Sequence, residues 1–465
     1  MINQLKSSNR LYEINTATYL RKLSDRYGRI ITLSNIPDEE LAHIAENGFG
    51  AIWLMGIWER SHIAIELALA NEPLLNEARA LLPDFQTRDI IGSAYSLKSY
   101  QVNEKFGGES ELLTLRQRLS AHNLGLILDF VPNHTGFDHE WIVSQPDNYI
   151  TGSHDQLVNH PEQYRDCNGY IIANGRDPNL GSWSDVAQLN AFAPSYRRAS
   201  IDTLNHIATL CDGVRCDMAM LLTNQIFSNT WGDSAGPIPE TEYWQEVIST
   251  VRETHEGFLF IAECYWNTVG LLLDQGFNYC YDKDFYDVLL AGSATQIIDY
   301  LSAITSILPH QVYFLENHDE PRAATVFPVD KHKAAAYLVN SLPGLFLIYN
   351  GQSVGYSAKI PVHFGREPDL LTDYDLAYYY ELLLSKLPRQ TLSWSLLPSN
   401  NQILVGSNDA GVNSLINYSD RPADIDITDL PIDPILLSAI TGSGELQFHE
   451  DVLTLAPWQV IGVLP

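Results

Sequence analysis

The chain has 465 residues, 45% of them hydrophobic and 18% charged, with 57 acidic against 28 basic side chains and a net charge of −29. That length suits one large domain of about 250–400 residues plus a small one, and the apolar share excludes intrinsic disorder, a coiled coil and any need for disulfide staples. The acidic balance argues against nucleic-acid and membrane-surface roles, because phosphate backbones and anionic lipid would repel it, but it does not exclude a neutral substrate. The five cysteines, Cys167, Cys211, Cys216, Cys264 and Cys280, form no CxxC pair and fit neither a disulfide framework nor a zinc site. The opening MINQLKSSNRLYEIN has no apolar stretch behind its charges, and no run approaches the ~18 apolar residues of a membrane span. A cytoplasmic protein is expected, with a secreted form as the alternative.

In chain order, eight short apolar runs read as strands: Leu11–Thr16, Ala51–Gly56, Leu124–Phe130, Gly213–Asp217, Phe258–Glu263, Tyr279–Asp282, Val312–Glu316 and Leu345–Tyr349. They are near-continuously apolar rather than alternating, as parallel strands covered by helices are. Helical spacing lies between them. Glu109–His122 carries Leu112, Leu115 and Leu119 on one face, and Pro194–Leu210 and Thr241–His255 read the same way. Eight strands alternating with helices predict an α/β fold, a (β/α)8 TIM barrel; an open doubly wound sheet would want a glycine-rich turn after its first strand, and none is present. Two segments break the alternation. Residues 135–190, after the third strand, are polar and rich in Asn, Asp, Gly and Pro, and read as an inserted subdomain. Residues 389–465 carry short runs (402–406, 414–418, 452–455) between turn residues, the pattern of a small antiparallel β domain. The barrel is then expected from residues 1–134 and 191–388.

Four of the strands run into carboxylates, at Asp129, Asp217, Glu263 and Asp319, the last with Glu316 just before it. One such residue is a helix cap or half of an ion pair. On a barrel, however, the carboxyl ends of all strands converge on one face. Carboxylates gathered there raise one another's pKa and yield an acid and a base near neutrality. Arg215 stands two residues before Asp217, and His134 and His318 lie close by in sequence. Carboxylates with arginine, histidines and many aromatic rings, without nucleotide motifs, suit glycoside hydrolysis: one group protonates the leaving oxygen, another attacks the anomeric carbon or activates water. Flat sugar faces stack on aromatic rings.

Four ordered motifs, Asp129-Phe-Val-Pro-Asn-His134, Gly213-Val-Arg-Cys-Asp217, Ala262-Glu263-Cys-Tyr and Glu316-Asn-His-Asp319, resemble those of the α-amylase superfamily, glycoside hydrolase family 13. They fall at the third, fourth, fifth and seventh strands, as the family's do. Gly48–Trp53, Ser93–Tyr100 with Gly107-Gly108, Gln188-Leu-Asn190 and Leu415–Pro422 extend the likeness over nearly the whole chain. The resemblance implies that Asp217 is the nucleophile, Glu263 the general acid and then base, and Asp319 the third catalytic carboxylate, gripping sugar hydroxyls. It implies substrate-binding roles for Tyr95, Asp129, His134, Arg215, His318 and Arg322. Tyr95 would stack beneath the sugar, and Arg215 would hold Asp217 by a charge-assisted bond. The product would keep its anomeric configuration, which needs acid and nucleophile about 5–5.5 Å apart.

The chain departs from the family's pattern in places. Met220 and Leu221 stand where many relatives carry Lys-His, and Ser353 where many have an acidic residue. Asn133 offers an oxygen to calcium, but one ligand does not make a site that needs six to eight; no metal and no cofactor is expected. Trp53, Trp58, Cys216 and Cys264 read as packing, Trp183 as a candidate wall of a distal subsite, and His62, His160, His310 and His332 as surface or loop histidines. The expected activity is retaining cleavage of α-glucosidic bonds in an oligosaccharide or disaccharide. A sucrose-, trehalose- or maltose-type glucosyl transferase is the alternative, and a non-catalytic carbohydrate-binding relative a remote one.

Overall fold

All eight apolar runs become parallel strands of one closed barrel in the computed structural model, which describes residues 5, 8–179, 181–387, 390–426, 428, 437–441 and 446–463. The strands are β1 (Arg10–Asn15), β2 (Ala51–Met55), β3 (Gly125–Phe130), β4 (Gly213–Cys216), β5 (Leu259–Ala262), β6 (Tyr279–Tyr281), β7 (Gln311–Tyr313) and β8 (Leu345–Tyr349). Each pairs with its sequence neighbours, and β1 closes the ring by pairing with β8 as well as β2. Every residue of β2, β3, β4, β5 and β8 is buried. Their outer faces lie under helices and their inner faces fill the barrel, which is why they read as unbroken apolar runs.

The helices lie close to where their spacing puts them, at Gly108–Ala121, Pro194–Leu210 and Tyr243–Thr254. Leu112, Leu115 and Leu119 face the core. At the amino-terminal end of β1 the buried Arg10 guanidinium ties the barrel shut, donating to Asn340 Oδ1 at 2.9 Å, the Asn47 carbonyl at 2.9 Å and the Leu384 carbonyl at 2.7 Å.

Two excursions follow β2 and β3 on the carboxyl side. Trp58–Arg60 pairs antiparallel with Leu97–Val102, which brings Tyr95 toward the barrel mouth. After β3, a four-stranded antiparallel sheet forms from His134–Thr135, Trp183–Gln188, Tyr170–Gly175 and Tyr164–Cys167, with His134 opposite Gln188. Toward the carboxyl terminus, Ser393–Leu397, Asn400–Asn408, Gly411–Asn417, Val460–Val463 and Leu437–Ala439 make one antiparallel sheet, and Ala423–Asp426, Val452–Leu455 and Gln447–His449 another. Ile403, Val405, Leu415, Leu453 and Leu455 form their shared core. The Tyr418 hydroxyl, donating to the Leu289 carbonyl at 2.8 Å, fastens these sheets to the barrel's helices.

Trp53, Trp58, Cys216 and Cys264 are buried in the core. His332 is not a loop histidine: it sits inside the helix Val329–Asn340, 1% exposed, with Nε2 2.9 Å from the Tyr380 hydroxyl. No helix among the described residues is long and apolar enough to cross a membrane.

Candidate active site

The Arg215 side chain, on β4, points into the barrel and is fully buried. Its Nη1 lies 2.7 Å from Asp217 Oδ1 and its Nη2 lies 2.7 Å from Glu263 Oε2. Nη1 is also 3.7 Å from Asp129 Oδ1. One planar fork therefore gathers carboxylates from the ends of β3, β4 and β5, a task suited to arginine because its donors are fixed in one plane. The rings of Trp53 and Tyr95 lie 5.2 Å from the guanidinium carbon. Asp129 is fixed from below by Trp53 Nε1 at 3.2 Å and the Gly56 amide at 3.0 Å.

Glu263 is the most fully bonded of the three predicted catalytic carboxylates. Its Oε2 accepts from the Met218 amide at 2.7 Å and its Oε1 from the Tyr265 hydroxyl at 2.8 Å, while its contact with Arg215 Nη2 is an ion pair without hydrogen-bond geometry. Met218 directs that amide by a left-handed turn with φ +43° just past Asp217. Burial, opposed by Arg215 and reinforced by Asp217 and Asp319, pushes the Glu263 carboxyl up to about 7. The same burial raises Asp217, again opposed by Arg215, and raises Asp129 to about 7.

Asp319 stands apart electrostatically. Its side chain is 48% exposed, against 8% for Asp217 and 4% for Glu263, so it faces the open side of the site. His318 Nε2 lies 2.9 Å from its Oδ2. Burial raises the Asp319 carboxyl, but His318 outweighs that and holds it well below the usual carboxylate range. The Tyr95 hydroxyl is 2.8 Å from the same Nε2, and its ring stacks on the imidazole at 5.4 Å. Tyr95 thus spends one face on His318.

The remaining predicted residues lie further from the fork. His134 is buried edge-on to Trp183 at 5.6 Å, and burial pushes it down to about 4, so it is neutral. Trp183 is half-buried, while Arg176 turns away to the Trp231 ring at 4.2 Å. Arg322 is a buried brace rather than part of the cluster around Arg215: it donates to Glu316 Oε1 at 2.6 Å and the Asn350 carbonyl at 2.8 Å, with Tyr349 beneath it at 4.4 Å. Sequence reasoning missed Tyr265, the Met218 amide and Glu13, whose carboxylate lies 2.5 Å from His318 Nδ1. Glu13 carried a readable signal, a charge inside an apolar strand. The other two did not, since a backbone amide has no letter and tyrosine is common beside barrel strands.

Residues 36–272 match the family model for the alpha amylase catalytic domain. The chain belongs to the alpha-amylase family. It is 24% identical over 345 residues to Alpha-amylase 3 of Dictyoglomus thermophilum, an alignment covering 69% of this chain and 63% of that protein. It is 21% identical over 399 residues to Maltase A1 of Drosophila melanogaster, covering 72% and 64%. The matched segments thus span less than two thirds of these curated relatives. Among solved structures, an alpha-amylase from Lactobacillus plantarum superposes with a TM-score of 0.66 at 18% identity, over 99% of both chains. A cyclic alpha-maltosyl-(1-->6)-maltose hydrolase from Arthrobacter globiformis gives 0.67 at 15% identity over 98% of both. These two likenesses establish the shared fold.

The oxygens around Asn133, where the family resemblance raises calcium, meet an amide. The buried Gln188 side chain places Nε2 2.9 Å from the Asn133 carbonyl, 3.0 Å from Asn133 Oδ1 and 3.0 Å from the Leu189 carbonyl. Backbone carbonyls only accept, so the atom facing them is the NH2 group. Its two protons are shared among these three oxygens.

Replacing Arg215 tests the charge balance. Arg215→Gln should destabilise the protein by about 3–5 kcal/mol at pH 8, because buried carboxylates lose their cation. The gap from wild type should narrow as pH falls and those carboxylates take up protons. Thermal melts of both proteins from pH 5 to pH 8 check this; a constant gap would show that the guanidinium contributes packing and not charge.

Proposed function

We propose that the chain is a retaining glycoside hydrolase acting on α-glucosidic bonds, with Asp217 as nucleophile and Glu263 as acid and base. The observation that carries the reading is the Arg215 fork, which brings Asp217 and Glu263 to one guanidinium inside the mouth of the barrel. Relatives named alpha-amylase, maltase and alpha-glucosidase support the same bond type. A non-catalytic role would leave four buried or half-buried carboxylates and a buried arginine without a purpose.

The chemistry follows from the hydrogen bonds. Glu263 Oε2 accepts from the fixed Met218 amide and faces the Arg215 charge, whereas the Tyr265 hydroxyl at Oε1 can accept as well as donate, so the proton of the acid form is carried on Oε1. That proton passes to the glycosidic oxygen as its bond to the anomeric carbon breaks. Asp217, kept ionised by the Arg215 contact, attacks the same carbon and forms a glycosyl ester. Glu263, now a carboxylate, takes a proton from water, which displaces Asp217 and leaves the product with its starting configuration. Asp319 is the exposed member and hydrogen-bonds sugar hydroxyls. Tyr95, Asp129, His134 and His318 complete the wall of the sugar site, while Arg322 supports it through Glu316.

Two further readings accompany this one. The Gln188 amide among the Asn133 and Leu189 oxygens supports a fold that needs no calcium. The five cysteines, all buried and unpaired, support a cytoplasmic location.

Incubation with maltose, maltotetraose, isomaltose, sucrose, trehalose and starch should release sugar whose first-formed anomer, by NMR, is α. A first-formed β anomer would overturn the ester intermediate, and new disaccharides with little free sugar would identify a transferase. Asp217→Asn should lower kcat at least about a thousandfold on every accepted substrate.

The pH profile carries a second expectation. Glu263 must hold its proton to act as acid, so kcat/KM should fall as pH rises through about 7. Glu263→Gln should abolish that limb together with most of the activity. A limb unchanged in the residual activity of the variant would assign it to another group.

Chelation tests the calcium reading. EDTA should leave the thermal midpoint and the activity unchanged, and added calcium should raise neither. A fall of several degrees on chelation would show that a cation displaces the Gln188 amide.

A further inference from the structure

Away from the Arg215 fork, a second buried charge cluster has an imidazole at its centre. Glu13 sits in β1, fully buried, in register with Trp53 on β2 and Tyr349 on β8. Its Oε1 lies 2.5 Å from His318 Nδ1 and also accepts from the His318 amide at 3.4 Å. The other ring nitrogen, Nε2, is 2.9 Å from Asp319 Oδ2. Ionised carboxylates only accept hydrogen bonds. At Nε2 the hydrogen bond is with the Tyr95 hydroxyl at 2.8 Å, and Asp319 lies beside it in charge contact, so the ring stands between two carboxylates that favour its imidazolium form. Its orientation is fixed too, with Tyr95 stacked on it at 5.4 Å and Trp53 edge-on at 5.5 Å.

Glutamate at position 13 needs an explanation beyond the hydrogen bond. A glutamine would accept from Nδ1 equally well and would bury no charge. Burying a carboxylate is costly unless a cation meets it. Here the second oxygen, Oε2, is buried with no hydrogen-bond partner, so His318 is the group that balances the charge. What glutamate adds over glutamine is the negative charge itself, and that charge acts on the ring it touches.

We propose that Glu13 is a positioning residue of the reaction, holding His318 doubly protonated and in one orientation so that a positively charged ring always stands beside Asp319 and the sugar it grips. This rests on the reading of Asp319 as a sugar-gripping carboxylate. With the imidazolium in place, Asp319 stays ionised through the range in which Glu263 exchanges its proton, and the sugar side of the site does not titrate with the acid.

The surroundings agree. His318 faces Glu13, Asp319 and the Tyr95 hydroxyl directly, with Asp129 and Asp217 within electrostatic reach. Glu13 in turn acts on Tyr281, Tyr349 and Glu316, and Glu316 is neutralised by Arg322. The groups touching the ring are two carboxylates and the Tyr95 hydroxyl, which favour the charged form, while the cations Arg215 and Lys359 act on Asp319. Burial alone would lower the imidazole; Asp319 and Glu13 overcome it and raise it to about 10.

The test is Glu13→Gln, which keeps size and acceptor while removing the charge. In full-length protein labelled with 15N-histidine, the His318 signals are assigned by their loss in His318→Gln. Wild type should show both ring nitrogens protonated at pH 8. In Glu13→Gln the ring should lose a proton at least one pH unit lower, since removing the counter-charge weakens the charged form. Its kcat/KM should then fall at least about tenfold more at pH 8 than at pH 5.5, where the ring is still charged. A neutral His318 in wild type at pH 7, or an unchanged titration in the variant, would overturn the proposal. So would a shifted titration with an unshifted kcat/KM profile. The spectra need no turnover, so they decide the charge of His318 even if no glucoside proves to be a substrate. The wild-type spectrum alone decides it if the variant fails to fold.

Discussion

A single buried guanidinium between several carboxylates is the constraint on which the rest of the site depends. Asp129, Asp217 and Glu263 all lie within 3.7 Å of Arg215, and all are at least nine-tenths buried. One positive charge cannot balance three negative ones in a low-dielectric interior. The shortfall is met by protons. Glu263 and Asp129 titrate near 7, and the group bonded end-on to Arg215, Asp217, is the natural one to stay ionised. The acid and the nucleophile differ because the cation is shared unequally, not because their side chains differ in kind.

The barrel makes this shortage tolerable. Each member comes from a different strand end, so no local segment carries more than two of the charges. Trp53 serves two parts of the arrangement, donating to Asp129 and standing against His318, so packing and charge are fixed by the same ring. The excursions after β2 and β3 add Tyr95 and His134 from the open side. Their placement depends on sheet pairing, such as His134 opposite Gln188, and not on the barrel strands themselves.

The barrel was legible because its signal is simple. Strands buried on both faces read as unbroken apolar runs, and eight such runs between helical spacings leave few other architectures. Carboxylates at strand ends were legible for the same reason, since a charge after an apolar run stands out. Glu13 escaped because it lies within its run rather than at the end, where attention to strand ends does not reach. His332 was misplaced because helix Val329–Asn340 buries a face that its polar letters, Lys331, His332 and Lys333, do not announce. Arg322, which the family resemblance offers as a sugar contact, is held by Glu316 and the Asn350 carbonyl. Distance along the chain predicted the neighbourhood, and competition among buried charges decided the partner.

That competition also sorts the cations by what they can lose. Arg215 keeps its charge at any pH the fold survives and holds Asp217 and Glu263, while Arg322 holds Glu316. His318 is the cation that can titrate, and it holds Asp319, the carboxylate that faces solvent. Without a counter-charge, a buried imidazole would be neutral, as His134 and His332 are, both pushed down to about 4. His318 differs from those two in having a carboxylate at each nitrogen. An ordinary histidine environment would let the grip on the sugar fade in the same pH range in which Glu263 exchanges its proton. A glutamate beneath the ring separates the two events, so that one titration, that of the acid, governs the site near neutrality.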